Sequence, residues 1–159
     1  MMKNLIMRDA TEKDLDLIIS FIKKIAHYEK MDNDYVASKE NLYKWIFEKK
    51  LCKTIFLELD NKPIAFCIYF YNFSTFQGKG GIHIEDIYVD EEYRNNGYGK
   101  MLFKEVIKRA KEEDCGRIEW TCLKWNEPSK KFYESMGARD MDEWITYRLI
   151  DEQFDDLIK

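Results

Sequence analysis

The sequence predicts an α/β domain built on a mixed, mostly antiparallel sheet flanked by helices. Three observations carry that expectation. Apolar residues recur at helical spacing near the start, and branched and aromatic runs separated by tight turns follow them. A strand–helix–strand passage then runs from Ile82 to Leu123. The hairpins imply antiparallel neighbours, whereas the passage implies a parallel pair joined by a right-handed crossover. With 159 residues and no internal repeat, low-complexity segment or linker, the chain is expected to form one domain, residues 1–159, around a single core.

Asn4 to Met7 reads as a short strand, and Thr11 can cap the helix after it, with Glu12 and Asp14 in the first turn. Leu15, Ile18, Ile19, Ile22, Ile25 and Ala26 give that helix one apolar face. Lys30 to Ala37 breaks the pattern, and Ser38 opens a second helix carrying Leu42, Trp45 and Ile46. Thr54 to Leu59, Ile64 to Phe73 and Ile82 to Val89 read as a meander, turning at Asp60-Asn61-Lys62-Pro63 and Gln77 to Gly81. The helix after Gly97 is expected to bury Tyr98, Met101, Leu102, Val106 and Ala110 and to stop near Cys115-Gly116, with Gly116 at C′. Arg117 to Leu123 is a further strand, and Pro128 suits the first turn of a helix capped by Asn126. Trp144 to Ile150 reads as a last strand and Asp151 to Lys159 as a short terminal helix.

Net charge is −4, so nothing globally basic invites nucleic acid or an anionic membrane surface. Cys52, Cys67, Cys115 and Cys122 form no C-x-x-C pair and no metal-like cluster with His27 or His83, so buried free thiols and no metal are expected. Residues 1–10 contain Lys3, Arg8 and Asp9 and no long apolar stretch, and no run approaches the ~20 apolar residues of a membrane span. The expected compartment is the cytoplasm.

Arg94-Asn95-Asn96-Gly97-Tyr98-Gly99 connects the strand ending at Val89 to a helix. The first N–H groups of a helix lack intrahelical partners and carry partial positive charge, so this junction can cradle a phosphorylated ligand. Gly97 and Gly99 permit positive φ and close backbone approach. No Gly-Lys-Ser/Thr follows, which excludes a Walker loop, and no third glycine completes a dinucleotide fingerprint. By pattern alone, a plain turn before a helix remains an open reading.

Glu85 and Asp86 interrupt an otherwise apolar strand, where a charge needs work or a partner. Alternation puts them on opposite faces; a β-bulge would bring both to one cleft. An ion pair with a neighbouring strand residue is the competing reading. Tyr133 offers a phenol able to protonate a thiolate, although a Phe-Tyr pair at helical spacing also suits a core. Asn126 reads equally as a helix cap, Trp120 and Trp125 read as core, and neither histidine is assigned a catalytic role.

The run Ile84 to Arg94 with its R-x-x-G-x-G, the segment Trp125-Asn126-Glu127-Pro128-Ser129 with Phe132-Tyr133 and Gly137-Ala138, and Ala26-His27-Tyr28-Glu29 resemble, in order along nearly the whole chain, the GNAT superfamily of N-acetyltransferases. The branch they resemble acetylates diamines (spermidine, spermine) and thialysine. The resemblance implies a GNAT-type sheet whose two central parallel strands splay apart to admit the pantetheine arm of acetyl-CoA. It implies acetyl transfer to a primary amine of a small cationic substrate by direct attack. Glu85 would be the water-mediated base, Asp86 would help hold the cation, and Tyr133 would be the general acid. Arg94, Asn95, Asn96, Gly97, Tyr98, Gly99 and Lys100 would hold the pyrophosphate, mainly through backbone amides. Backbone N–H groups of Ile87, Tyr88 and Val89 would meet the oxyanion, and Asn126 and Ser129 would contact the cofactor. Tyr28 and Glu29 would bind substrate, and a homodimer is implied.

One loop departs from the branch. Where diamine enzymes carry an acid and a tryptophan that grip a long polyamine, this chain has Ser74 and Phe76. That loop looks more like the thialysine-acetylating relatives. A protein or peptide N-acetyltransferase and a non-catalytic acyl-CoA-binding module are the alternative functions.

Overall fold

The computed structural model describes residues 4–159, and two compact units divide them, one ending at Thr121 and the other spanning Cys122–Lys159. The first holds a five-stranded sheet in the order β1-β2-β3-β4-β5. Its strands are β1 (Leu5–Asp9), β2 (Lys53–Leu59), β3 (Lys62–Ser74), β4 (Lys79–Val89) and β5 (Ile118–Trp120). The first three neighbouring pairs are antiparallel and β4–β5 is parallel. The mixed sheet and the crossover through α3 (Tyr98–Glu112) follow the sequence expectation.

Helix α1 (Leu15–Tyr28) lays its apolar stripe on one face of the sheet. Phe21 stacks on Phe66 at 4.9 Å and tilts against Phe56 at 6.0 Å. Ile18, Ile46 and Ile68 complete this cluster. Alternation sends Cys67 and Tyr69 to the opposite face, where the Tyr69 hydroxyl accepts from Arg109 of α3 at 3.2 Å. Arg109 also reaches Asp9 at 2.6 Å and Glu105 at 2.9 Å, tying α3 to the end of β1.

Local chemistry accounts for the boundaries. Ser38 caps α2 (Lys39–Tyr43), its Oγ accepting from the Asn41 N–H at 3.1 Å. That helix widens into a π-helical turn over Lys44–Glu48, a departure from the continuous helix expected. Asp60 and Asn61, both at positive φ, form the two-residue turn between β2 and β3. Helix α3 ends earlier than expected: Asp114, at φ 54°, takes the left-handed position assigned to Gly116. Gly116 instead lies against the tip of the Gln77 side chain, which a Cβ there would displace. Met101 is exposed, and Phe103 takes its expected place in the core. Of the four free thiols only Cys67 is fully buried.

The second unit contains α4 (Glu127–Ser135) and α5 (Phe154–Leu157), the latter following a 3-10 turn. Asn126 caps α4, its Oδ1 accepting from the Ser129 N–H at 3.4 Å. Gly137, at φ 86°, closes the helix as the Ala138 N–H reaches the Tyr133 carbonyl at 3.2 Å. Trp144 to Ile150, expected as a strand, pairs with nothing of its kind: this unit offers no other strand among the described residues. Without a ladder the segment's alternation has no face to bury, and Trp144, Ile145 and Tyr147 lie exposed. Arg117 to Leu123 is likewise shorter than expected, its ladder confined to Ile118–Trp120. Among the described residues, no helix is long and apolar enough to cross a membrane, and no cluster of residues could hold a metal.

Candidate active site

At the junction of β4 and α3 the chain makes the cradle expected from its glycines. A 3-10 turn, Glu91–Tyr93, follows Asp90. Asn95 and Gly97 adopt positive φ, 62° and 80°. Gly97 is the N-cap of α3 and contributes no side-chain acceptor, so the helix's first N–H groups remain available. Asn95, Asn96 and Gly97 are exposed. Asn96 steadies the loop by donating to the carbonyls of Arg94 at 2.9 Å and Tyr93 at 3.1 Å. Gly99 does not need positive φ, since it lies within the first turn of α3. This open, positively polarised backbone fits a pyrophosphate-bearing ligand such as acetyl-CoA.

The parallel ladder between β4 and β5 ends at Ile84↔Trp120. Beyond it β4 continues through Glu85 to Val89, so this end of the strand leaves β5 behind. The hydrogen-bonded part of the parallel pair therefore stops just before Glu85. At the same point the ladder with β3 skips a residue: Ile68 pairs with Asp86, Tyr69 pairs with Ile84, and Glu85 is the extra residue. This is the bulge that two adjacent carboxylates would need to serve one cleft.

Glu85 is exposed and Asp86 partly buried. Burial, reinforced by repulsion from Glu85 and then Glu29, pushes Asp86 up to about 7. Burial also raises Glu29, at the C-terminal end of α1. Burial first, and then the charges of Glu85 and Asp86, raise the thiol of Cys52. The fold therefore gathers Glu29, Glu85 and Asp86 into one acidic group beside Cys52. A low-dielectric site with excess negative charge favours a cation, and a carboxyl poised near neutrality can take up a proton.

Arg94 lies over the rings of Tyr28, at 4.8 Å, and Tyr88, at 5.1 Å. Its Nε donates to the Val89 carbonyl at 3.1 Å. Tyr28 and Tyr88 meet edge to face, 6.5 Å between centroids. Lys24, one turn earlier on α1, holds Asp90 at 2.6 Å.

Tyr133, Asn126 and Ser129 lie in the second unit on or at α4, with Tyr133 edge-on to Phe132 at 5.5 Å. His27 sits 3.2 Å from Asp32 on the surface, and His83 stacks on Phe70 at 4.8 Å, so both have structural surroundings. Trp120 packs edge-on against Phe103, while Trp125 is half exposed rather than core. In the departing loop, Ser74 is buried and its Oγ accepts from the Gln77 N–H at 3.3 Å, whereas Phe76 is fully exposed. Sequence reasoning missed Cys52 and the aromatic seat of Arg94. No local signal announces the second, because Tyr28 lies far from Arg94 in the chain.

Residues 19–138 match the Acetyltransferase (GNAT) family. Over 98% of both chains, the sequence is 30% identical to a thialysine N-epsilon-acetyltransferase of Sus scrofa. It is 42% identical to an L-ornithine N5-acetyltransferase of Arabidopsis thaliana, over 54% of this chain and 37% of that one. Among solved structures, an integron cassette protein from the mobile metagenome of V. cholerae superposes with a TM-score of 0.80 at 27% identity, covering 98% of each chain.

Proposed function

The chain belongs to the acetyltransferase (GNAT) family, and from that premise we propose that it moves the acetyl group of acetyl-CoA to a primary amine of a small cationic molecule of thialysine, diamine or polyamine type. The observation that carries this reading is the bulge at Glu85. It sets Glu85 and Asp86 side by side on the strand that leads into the cradle, where Asp86 feels the charge of Glu85 and of Glu29 at the end of α1.

An alkylammonium titrates near ~10.4, so at pH 7 only about one molecule in 10³ is neutral, a handicap of ~4–5 kcal/mol. The acidic group attracts the ammonium form, and Glu85 takes its proton through a water molecule. The amine nitrogen then forms its bond to the thioester carbonyl carbon while backbone N–H groups of Ile87 to Val89 receive the developing oxyanion. As the carbon–sulfur bond breaks, the Tyr133 hydroxyl gives its proton to the thiolate, while the nitrogen loses its second proton to solvent, from which Tyr133 recovers its own. Gly97 and the first N–H groups of α3 bind the pyrophosphate, assisted by Asn95, Asn96 and Lys100; Asn126 and Ser129 contact the donor, and Tyr28 and Glu29 the acceptor. Acetyl-CoA supplies only the activated acetyl group.

One observation favours a second assignment of the base. Burial pushes the Asp86 carboxyl up to about 7, the value that suits proton uptake at neutral pH. On this reading Glu85 holds the cation and Asp86 takes the proton.

The family match runs through both units, which supports a single acetyltransferase domain over residues 1–159. The exposed apolar side chains of Trp144, Ile145, Tyr147 and Leu149 support a homodimer. Four free thiols suit the cytoplasm.

The test is thiol release from acetyl-CoA over thialysine, ornithine, putrescine, spermidine, spermine and a peptide amine, with Glu85→Gln, Asp86→Asn and Tyr133→Phe alongside. We expect turnover on thialysine or a short amine, with kcat reduced at least ~100-fold in the variant lacking the base. Preference for the peptide amine would favour a protein acetyltransferase. CoA binding without turnover on any amine would leave a non-catalytic module.

A further inference from the structure

We propose that Arg94 is a positioning residue that couples the donor cradle to the acceptor end of α1 by cation–π contact with Tyr28 and Tyr88. The inference rests on the acetyl-transfer reading and adds an energetic link between its two substrates. Arg94 enters the cradle loop, whose next residues are Asn95, Asn96 and Gly97. An arginine so placed would be expected to reach a phosphate. Here the guanidinium carbon instead lies 4.8 Å from the centre of the Tyr28 ring and 5.1 Å from that of Tyr88. Its Nε is committed to the Val89 carbonyl at 3.1 Å. A planar guanidinium over two aromatic faces is held in orientation as well as position.

The contact spans three elements. Tyr28 ends α1 and precedes Glu29, Tyr88 lies two residues from Asp86 on β4, and Arg94 leads into α3. The two rings touch each other edge to face, so a shift in one is felt by the other and by the guanidinium. A second tie follows the same path: Lys24, one turn before Tyr28, holds Asp90 at 2.6 Å and lies 4.6 Å over Phe21. The last two turns of α1 thus hold the 3-10 turn Glu91–Tyr93 from both sides, at Asp90 and at Arg94. Anything that orders α1 around an acceptor also orders the backbone that binds the donor, and linkage makes the effect reciprocal.

Calorimetric titration of CoA, with no amine present, tests this on wild type, Arg94→Met, Arg94→Lys, Tyr28→Phe, Tyr28→Leu and the double variant Arg94→Met/Tyr28→Leu. Thermal melts verify folding, and Tyr88→Leu repeats the test from β4 should Tyr28→Leu fail to fold. We expect Tyr28→Phe, which keeps the ring, to retain more CoA affinity than Tyr28→Leu. Tyr28→Leu and Arg94→Met should each weaken binding about 5- to 10-fold, with the double variant no weaker than either single one. Normal CoA binding by Tyr28→Leu, with loss in Arg94→Met and rescue by Arg94→Lys, would overturn the proposal and make Arg94 a phosphate ligand. Multiplying effects in the double variant would overturn it as well. Absence of CoA binding by the wild type would instead overturn the acetyl-transfer reading, and the coupling with it.

Discussion

Two stretches of this chain, Ile82 to Val89 and Trp144 to Ile150, read as strands for the same reasons, yet only the first lies in one, β4. β4 lies between β3 and β5 and buries Ile82 and Ile84. Trp144 to Ile150 shares a unit with two helices and, among the described residues, no strand, and its aromatic and branched side chains face solvent. Pattern states which residues could form a ladder; a ladder forms only where another edge is offered.

Four measurements test the contrast between the two units. Phe66→Ala, in the stack with Phe21, should cost ~3–5 kcal/mol in urea unfolding. A smaller loss would mean that the core on this side of the sheet repacks. Next in size is a pH effect confined to the first unit. Asp86 is raised to about 7 when folded and sits near ~3.9 when unfolded. Its contribution is therefore fully present below ~pH 4 and is lost as pH rises through 7, by up to ~4 kcal/mol. Asp86→Asn should flatten that slope; an unchanged slope would remove the claim that this carboxyl is forced to hold its proton. In the activity assay the same group predicts acceptor affinity that rises with pH through about 7.

Smaller still are the two caps, one in each unit. Ser38→Ala and Asn126→Ala should each cost ~1 kcal/mol, and hydrogen exchange should localise the losses to α2 and α4 respectively. Global loss from Asn126→Ala would show that the second unit does not open by itself. The smallest effect belongs to Trp144→Ala, at under ~0.5 kcal/mol on dilute protein. Sedimentation should nonetheless show weaker self-association, if the exposed run is what a second copy covers.

Most of the first unit was legible. The stripe of α1, the Ser38 cap, the turn at Asp60-Asn61 and the cradle at Gly97 are local decisions, made by residues within a few positions of one another. The bulge was legible as a need rather than a fact: two adjacent carboxylates in an apolar strand call for one, but the register of β3 supplies it. What escaped depended on distant partners. Asp114, not Gly116, takes the left-handed turn that ends α3, and Gly116 packs against the Gln77 side chain, thirty-nine positions earlier. Arg94 found Tyr28, sixty-six positions earlier in the chain, a contact no local pattern encodes.

Glu85 has one further consequence, for how this chain tolerates loss of residues. Every pairing of β4 with β3 on either side of it, Tyr69↔Ile84 before and Ile68↔Asp86 after, already obeys simple alternation once Glu85 is omitted. A deletion at this position would close the ladder and leave each remaining side chain on its present face. At Ile82 or Ile87 a deletion would turn part of the strand inside out. The sheet could therefore be inherited intact by a descendant one residue shorter and robbed of its acidic pair. That shorter protein would be the natural control for separating what the fold requires from what the chemistry retains.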